Sequence, residues 1–318
     1  DAPNSYIVSD IFDLKPEYVP AATLAQASFP CVDLSLAGYR RGLNGHRSGA
    51  YWGFVKLLKE LGDRRPPLLL IENVVGFLSS HGGEDFRVAL ESLGDLGYSY
   101  DVFILNAVHF VPQSRPRLFV IGMLGRPYWE ATRPGFFPPR APDLCPTQLR
   151  DFIARHSGLN WCFLPLPPPP APVADFTPLL EELEEGDERW WPEHRVEYLL
   201  NQMSQRHRRV ADSMINSPSV SCGTVYRRIR YGRSMAELRT DGIAGCLRTP
   251  KGGSSRQILF VAGRGQCRAR FMTPREYARL QGVADWYKIT APTNQALFGF
   301  CDAICVPAIQ WIAENALN

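Results

Sequence analysis

Reactive side chains in this sequence stand at the ends of apolar runs. Cys31 follows Pro30 at the start of a polar loop punctuated by glycine, and an ionised cysteine is a strong nucleophile. Glu72 and Asn73 directly follow the apolar run 68–71. A carboxyl group at the end of a buried run costs free energy unless it is paired or used in chemistry. An inert thiol and a capping or salt-bridged glutamate explain the same residues, so each is ambiguous alone.

Two basic residues precede another apolar run. Arg115 and Arg117 stand two positions apart, just ahead of the run 118–121. In an extended segment this spacing puts both guanidinium groups on one face, where they can bind an anion or a carboxylate. Two solvated surface arginines are the alternative interpretation.

The elements that must hold these residues alternate between strand-like and helix-like runs. Runs rich in Val, Ile, Leu and Phe predict buried strands of a parallel sheet at 6–11, 68–74, 100–107 and 118–123. Apolar residues at helical spacing predict helices at 48–61 and 84–96. This alternation predicts an α/β fold with a doubly wound, Rossmann-like sheet. In such sheets ligands bind at the carboxyl ends of the strands, where Asp10, Glu72 and Asn106 fall.

The chain changes character in its middle part. An unbroken proline run at 167–170 predicts a stiff extended connector. An acidic stretch at 181–188 and a helix from 193 to about 213 follow it. The segment 206–275 is rich in arginine and punctuated by glycine, which predicts short strands and loops. Helical patterns return at 274–281 and 303–317.

Composition limits the class of protein. The 318 residues carry a formal net charge of +3, which alone does not predict nucleic-acid binding, and 45% are hydrophobic, as in ordinary globular proteins. The eight cysteines form no Cys-x-x-Cys pair, which predicts free thiols in a reducing, cytoplasmic compartment and argues against a zinc knuckle. No uninterrupted apolar run approaches the roughly 20 residues of a membrane span, so no membrane partner is expected.

Five segments, in order, resemble the motifs of the cytosine-5 DNA methyltransferase family. FPCVDLSLAG resembles its Pro-Cys catalytic motif, IENVVGF its Glu-Asn-Val motif and PQSRPR its Gln-x-Arg-x-Arg motif. FMTPREYARLQGV is similar to its Arg-Glu-x-x-Arg-Leu-Gln-Gly helix, and CDAICVPAIQWIA to its last motif, usually written Gly-Asn-Ala-Val. About forty residues separate each of the first three motifs from the next. The resemblance implies a class I methyltransferase fold with a smaller target-recognition domain.

The resemblance also implies a mechanism. Cys31 would add to C6 of a cytosine that has been flipped out of the duplex. Glu72 would hold or donate a proton at cytosine N3, a role that burial of the carboxyl favours. Asn73 would orient the loop around this acid. Arg115 and Arg117 would contact the cytosine carbonyl O2 and hold the catalytic loop.

The resemblance implies S-adenosyl-L-methionine as the cofactor. Asp10 would meet the adenine amino group beside Ile11, Pro30 would belong to the same site, and Asp302 with Ala303 would lie at the other end of the cofactor. The family's Phe-x-Gly-x-Gly loop is missing ahead of the catalytic cysteine, so the sheet is expected to lack its first strands and to bind the cofactor poorly. An incomplete chain is the favoured explanation, and a complementing N-terminal polypeptide is the alternative.

Contacts to double-stranded DNA are expected from two regions, the loop after the catalytic cysteine and the basic middle of the chain. The residues assigned to DNA are Ser35, Arg40, Arg41, Gln113, Arg228, Arg230, Arg248 and Lys251. The predicted domains are a catalytic domain at 1–144, a target-recognition domain with its proline-rich connector at 145–264, and a C-terminal segment at 265–318 that returns to the catalytic domain.

Three other functions fit parts of the pattern. An RNA cytosine-5 methyltransferase would share the fold, but its class usually carries a shorter middle region. A non-catalytic DNA-binding homologue tends to lose the cysteine or the glutamate, and both are present. A nicotinamide-dependent dehydrogenase rests on the sheet type alone. The expectation is therefore a DNA methyltransferase of the restriction-modification kind, associated with the nucleoid.

Overall fold

A computed structural model describes residues 7–29, 49–125, 140–230, 232–249 and 256–317. The strands are β1 Leu24–Ala27, β2 Leu68–Val74, β3 Tyr98–Asn106, β4 Pro116–Leu124, β5 Ser221–Arg230, β6 Arg233–Arg239, β7 Ile258–Gly263 and β8 Gln266–Phe271. The helices are α1 Ala50–Leu61, α2 Glu84–Asp95, α3 Thr147–Arg155, α4 Glu193–Asn201, α5 Gln205–Ile215, α6 Pro274–Leu280, α7 Thr293–Asp302 and α8 Val306–Ala316.

The chain forms two compact units. The first comprises Asp1–Leu105, Pro116–Pro169 and Ala313–Asn318, and the second comprises Asn106–Arg115 and Pro170–Ile312. These limits differ from the predicted domain limits, because 145–169 packs with the first unit and most of the C-terminal segment with the second. One boundary falls inside the proline run 167–170, where the sequence predicts a connector.

The first unit is built on a mixed four-stranded sheet with the strand order β1-β2-β4-β3. β1 runs parallel to β2, whereas β2 runs antiparallel to β4. The prediction of a purely parallel sheet is therefore wrong. Continuous apolar runs indicate burial on both faces, which β2, β3 and β4 have, but they carry no information about strand direction.

The predicted strand at 6–11 is also wrong over the part that the structure describes. Residues 7–10 form no strand, and the chain then turns, with the N–H of Asp13 donating to the carbonyl of Asp10 at 3.0 Å. The first strand is β1, a segment of four residues that alternate between exposed and half-buried. So short a segment lacks the apolar run by which buried strands are recognised in sequence. It leads directly to Phe29.

Helices α1 and α2 confirm the predicted helices and bury one apolar face each. Their buried side chains join the sheet in one core together with Phe29. The ring of Phe29 lies 5.2 Å from that of Tyr51 in α1 and 5.6 Å from that of Phe77. Full burial of one such side chain stabilises a fold by about 1.5–3 kcal/mol. The chain is therefore firmly anchored two residues ahead of Cys31.

The second unit is built on an antiparallel sheet with the strand order β6-β5-β7-β8, and α4 and α5 pack against it. The sequence predicts one helix over this region, but the structure has two. The break falls at Ser204, whose hydroxyl accepts a hydrogen bond from the N–H of His207 and so caps α5. Helix α6 confirms its prediction and begins with a capping box formed by Thr273 and Glu276.

The stretch Thr293–Ala316 is long and apolar enough to cross a membrane by length and composition, contrary to the expectation from uninterrupted apolar runs. The helix is interrupted, because Ala303 adopts an extended conformation (φ −63°, ψ 151°) between α7 and α8. Leu297 and Ile312 are fully buried. Helices in the core of a folded domain pass the same test of length and composition, so the stretch is weak support for a membrane span.

A buried ion pair ties β3 to the segment after α3. Arg140 donates to Asp101 Oδ1 at 2.7 Å and to the carbonyl of Leu164 at 2.7 Å, and Asp101 Oδ2 accepts from the N–H of Leu164 at 2.9 Å. Both charged side chains are almost completely buried. Burial raises the pKa of Asp101, and the charge and hydrogen bonds of Arg140 oppose the rise.

We expect Arg140→Met to lower the free energy of unfolding by about 3–5 kcal/mol near neutral pH, because it leaves a buried carboxylate without its cation. A folded-state pKa above the unfolded value means that the folded state binds the proton more tightly. Stability is then lost as pH rises through the window above the unfolded pKa of about 4, so the variant should recover stability toward acid. Urea denaturation across this pH range measures it. A second change, Asp101→Asn, should restore part of the loss, and a single variant as stable as the parent would contradict the account.

Candidate active site

Glu72 and Arg117 meet on one face of the sheet in the first unit. In the ladder between β2 and β4, Glu72 lies opposite Phe119 and Val74 lies opposite Arg117. The acid and the base are therefore diagonal neighbours on the same face, within reach of long side chains. Arg117 Nε lies 2.8 Å from Glu72 Oε1, with only 15% and 9% of the two side chains exposed. The pair fixes the direction of a buried carboxyl group at the end of β2.

Asn73 points to the opposite face of β2 and is almost completely buried. Its Nδ2 donates to the carbonyl of Phe29 at 3.2 Å, and its Oδ1 accepts from the N–H of Val74 at 2.9 Å. Since Phe29 precedes Pro30 and Cys31 in the chain, this amide holds the main chain two residues ahead of the candidate nucleophile. The geometry is consistent with the predicted orienting role of Asn73.

Six of the predicted site residues lie outside the described residues: Pro30, Cys31, Ser35, Arg40, Arg41 and Lys251. The structure does describe both flanks of the segment that contains the first five. Phe29 precedes the segment and α1 follows it, and the contact between the rings of Phe29 and Tyr51 holds the two flanks together. The core thus fixes where this segment begins and ends.

Arg115 has its described hydrogen bonds within the second unit. Its Nη2 donates to the carbonyls of Cys301 and Ala303 at 2.8 and 2.9 Å, and its Nη1 donates to the carbonyl of Leu247 at 3.5 Å. Arg115 precedes β4, which begins at Pro116. The alternation of side chains along a strand therefore does not place Arg115 on the same face as Arg117. The described contacts anchor the junction between α7 and α8, and the predicted contact with cytosine stays a prediction.

Gln113 is fully buried in the second unit. Its Nε2 donates to the carbonyl of Leu280 at 2.7 Å, and its Oε1 accepts from the N–H of Leu247 at 3.3 Å. Both ends of the amide are therefore used by main-chain groups. This burial gives Gln113 a structural role, and its assignment to DNA stays a prediction.

The residues around Asp10 fit the adenine end of S-adenosyl-L-methionine. Asp10 is exposed, and its Oδ1 accepts from the N–H of Phe12 at 3.0 Å. Ile11 and Phe12 pack against Gly53 of α1, where an added Cβ would lie 2.4 Å from Ile11 Cγ2. An exposed carboxylate beside an apolar surface can hold an adenine ring and accept from its amino group. The absence of a side chain at Gly53 keeps that surface in place.

The other two predicted cofactor residues lie in the second unit. Asp302 is exposed at the end of α7. The carbonyl of Ala303 accepts hydrogen bonds from Arg115 and, at 3.2 Å, from Gln281 Nε2. The main chain of Ala303 thus has a structural role, and contact of either residue with the cofactor stays a prediction.

The predicted DNA-reading arginines of β5 share one carboxylate on β6. Arg228 Nε lies 3.7 Å from Glu237 Oε2, and Arg230 Nη2 lies 3.3 Å from Glu237 Oε1. The guanidinium of Arg228 also stacks 4.7 Å from the ring centre of Tyr226. Burial disfavours ionisation of Glu237, but hydrogen bonds from Tyr226 and Arg230 hold its pKa below the ordinary value. Arg248 is exposed, and it lines a cavity of about 220 Å³ together with Tyr226 and Arg228.

The model of one protein family, described as C-5 cytosine-specific DNA methylase, matches residues 3–318. The chain belongs to this family. The Type II methyltransferase M.HaeII of Haemophilus aegyptius is 31% identical over 310 residues, which cover 97% of this methylase and 78% of M.HaeII. M.HhaI of Haemophilus parahaemolyticus is 23% identical over 313 residues, or 96% and 79% of the two chains. The match to M.Bsp6I of Bacillus sp. (strain RFL6), at 34% identity, covers 37% of this methylase and 38% of that protein.

Solved structures have the same fold. Dnmt2 methyltransferase of S. pombe superposes with a TM-score of 0.56 at 17% identity, over 96% of this methylase and 80% of that chain. The methyltransferase EhMeth of Entamoeba histolytica gives a TM-score of 0.59 at 12% identity, over 97% and 81%. The methylase therefore has the predicted class I methyltransferase fold, with a mixed first sheet and a second, smaller one. Enzymes of this family take the methyl group from S-adenosyl-L-methionine.

The cysteines that the structure describes are free thiols, as predicted. Burial raises the pKa of five of them: Cys145, Cys222, Cys267, Cys301 and Cys305. The pKa of Cys301 reaches about 12 although Arg115 opposes the rise, and that of Cys305 reaches about 11. Since the thiolate is the nucleophilic form, these five are poor candidates for the attacking group of a cytosine methylase.

Two contributions to the site are absent from the predictions made from the sequence. The ring of Phe29 gives no sign in the sequence that it packs on Tyr51. Glu237 could have been found, since the turn at Gly232, with φ +73°, marks a hairpin that puts Tyr226 opposite Glu237. That register puts Glu237 on the same face of the sheet as Arg228 and Arg230, where cross-strand neighbours interact.

The hydrogen bond from Asn73 to the carbonyl of Phe29 generates a prediction. Asn73→Asp keeps an oxygen that accepts from the N–H of Val74 but replaces the amide donor with a second acceptor. We expect the free energy of unfolding to fall by about 1–3 kcal/mol, and methylation at saturating DNA to slow more than the DNA dissociation constant changes.

Urea denaturation and steady-state methylation with tritiated cofactor measure the two effects. Asn216→Asp, at an exposed position at the end of α5, is the matched control. It should leave turnover unchanged and lower the free energy of unfolding by at most about 0.3–1 kcal/mol, since a negative charge at a helix C-terminus is unfavourable. Parental turnover by Asn73→Asp would show that this amide does not position the loop.

Proposed function

We propose that this methylase transfers a methyl group from S-adenosyl-L-methionine to C5 of a cytosine in a specific site of duplex DNA, through a covalent bond between Cys31 Sγ and cytosine C6. The observation that carries the proposal is the arrangement around β2. Glu72 is held against Arg117 on one face of this strand. On the other face, the next residue ties down the chain that leads to the cysteine. Adjacent residues of β2 therefore provide the acid, Glu72, and the amide of Asn73 that holds the chain ahead of the nucleophile.

Cys31 is the nucleophile in this proposal. Cytosine C5 becomes reactive only when electron density enters the ring, and the thiolate supplies it by forming a bond to C6. S-adenosyl-L-methionine would supply an electrophilic methyl group when bound, and its sulfur would leave as a neutral thioether when the bond to the methyl group breaks. Once C5 carries the methyl group, loss of the C5 proton to a base and cleavage of the Sγ–C6 bond restore the aromatic ring and the thiolate.

Glu72 offsets the charge that thiolate addition creates. Electron density rises at cytosine N3 during the addition, and a carboxyl group that holds a proton there stabilises the developing charge. The contact of Arg117 with Glu72 Oε1 orients the carboxyl group, and so gives its second oxygen, Oε2, a defined direction. Arg117 is a positioning residue in this scheme, and Arg115 and Gln113 position the second unit's chain around residue 247.

Contacts with DNA complete the proposal. A base inside a duplex is out of reach of Cys31, so the cytosine must leave the stack. Ser35, Arg40 and Arg41 would close over the DNA after this step. Reading of neighbouring bases would fall to Arg228, Arg230, Arg248 and Lys251, since arginine most often reads guanine. The shared carboxylate of Glu237 supports this role, because it holds two guanidinium groups side by side on the sheet.

A duplex that contains 5-fluorocytosine at the target tests the proposal. Fluorine at C5 cannot leave as a cation, so the covalent complex should accumulate in the presence of cofactor. We expect the full-length protein to give an adduct stable to denaturing electrophoresis and Cys31→Ser to give none. Glu72→Gln should form the adduct about 10²–10⁴ times more slowly, which is the range for one acid–base group.

Cys267→Ser is the matched control, since it removes a described free thiol whose pKa burial raises. It should form the adduct at the parental rate. An adduct that survives Cys31→Ser, or no adduct with the parent, would refute the proposal. The same assay with transfer RNA containing 5-fluorocytosine tests the RNA alternative, and an adduct confined to RNA would replace the proposed substrate.

A further inference from the structure

Three arginines cluster in the second unit, apart from the predicted DNA readers. Arg195 lies on α4, Arg227 on β5 and Arg256 just ahead of β7. Arg195 and Arg256 lie against the same ring, that of Phe271, and the charges of Arg227 and Arg256 both act on Arg195. Like charges held close together repel each other. A fold that keeps such a pair calls for a compensating interaction.

Aromatic rings supply part of that compensation. The guanidinium carbon of Arg195 lies 4.0 Å from the ring centre of Trp191 and 5.1 Å from that of Phe271. The guanidinium carbon of Arg256 lies 4.2 Å from the same Phe271 ring. The two rings pack edge to face at 5.0 Å, which makes a firm platform. Cation–π contacts of this kind contribute about 0.5–1 kcal/mol at exposed sites, and they hold two positive groups near one ring.

Ion pairing distinguishes Arg195 and Arg256 from two neighbouring arginines. Within the part of the chain that the structure describes, neither Arg195 nor Arg256 forms an ion pair, and Arg256 Nε is buried without a hydrogen-bond partner. Two other arginines of the second unit do form ion pairs, Arg189 with Asp187 and Arg270 with Glu276.

The environment of the cluster lowers the pKa of two of its arginines. Partial burial, followed by the charges of Arg227 and Arg256, lowers the pKa of Arg195. Burial also lowers the pKa of Arg256. The cluster is therefore a concentrated positive charge that an anion would stabilise.

The cluster opens onto a groove that can admit an anion. Arg195 and Arg256 line a groove of about 590 Å³ together with Trp190, Trp191 and Phe271. Two carboxylates line it as well. That of Glu181 accepts a hydrogen bond from the hydroxyl of Thr273, and that of Glu188 belongs to an exposed residue. A tetrahedral oxyanion is small enough for this groove and suits guanidinium donors, which bind phosphate with charge-assisted hydrogen bonds.

We propose that Arg195 and Arg256, with Arg227 beside them, form a binding site for one phosphate group in the second unit. The backbone of bound DNA is one source of that phosphate, and a free phosphate anion is the other. The DNA source rests on the proposed function and adds to it a contact that fixes the register of the duplex without reading its sequence. The free-anion source does not depend on that function.

The salt dependence of DNA binding tests the first source. A protein that neutralises a phosphate releases counterions, so log Kobs falls with log salt with a slope of about −0.9 for each phosphate. We expect the double variant Arg195→Gln/Arg256→Gln to lose about one unit of slope. Arg195→Lys/Arg256→Lys keeps both charges and should keep most of the slope. The matched control Arg150→Gln/Arg155→Gln, at two exposed positions of α3 outside the basic segment 206–275, removes the same net charge and should leave the slope unchanged.

Thermal unfolding with and without inorganic phosphate tests the second source. Stabilisation of the parent by phosphate, with none for Arg195→Gln/Arg256→Gln and an unchanged DNA slope, assigns the site to a free anion. An unchanged slope together with equal phosphate stabilisation of the parent and both glutamine variants would overturn the proposal. The 5-fluorocytosine adduct at low salt and saturating DNA should form normally in the cluster variant, so failure of the phosphate site and failure of the proposed chemistry give different results.

Discussion

The register between β2 and β4 is the constraint on which the candidate site depends. With Glu72 opposite Phe119 and Val74 opposite Arg117, the acid meets its guanidinium on one face of the sheet. The following residue, Asn73, must then point to the other face, where it meets the carbonyl of Phe29. A slip of one residue would exchange the two faces and lose both contacts at once. One ladder therefore governs the direction of the acid and the position of Phe29, two residues ahead of Cys31.

The arginines that hold the fold differ in their contacts from those of the proposed phosphate site. In the first unit Arg140 and Arg117 each meet a carboxylate, and both pairs are at least largely buried. In the second unit Arg115 is used by main-chain carbonyls at the junction between α7 and α8. Arg195 and Arg256 depart from this pattern, since aromatic rings and not carboxylates hold them. Positive charge held without a carboxylate is what a polyanion such as DNA can use.

Much of this architecture can be predicted from the sequence, because apolar periodicity reports burial. The helices α1, α2 and α6 and the strand β2 are found where periodicity puts them, and the polar end of β2 marks the acid. Strand direction cannot be read in the same way, since a strand buried on both faces looks alike in parallel and antiparallel pairing. Burial of Gln113 depends on partners about 130 and 170 residues away, which local patterns do not encode.

The central claim is that the sulfur of Cys31 and the carboxyl of Glu72 act on one cytosine. A crystal structure of the full-length methylase trapped on 5-fluorocytosine DNA tests this claim most directly. We expect a bond from Cys31 Sγ to C6 of an extruded base, with a Glu72 carboxyl oxygen about 3 Å from N3 and Arg117 still in contact with Oε1. A base bonded to a different sulfur, or a Glu72 carboxyl that makes no hydrogen bond to the trapped ring, would contradict it.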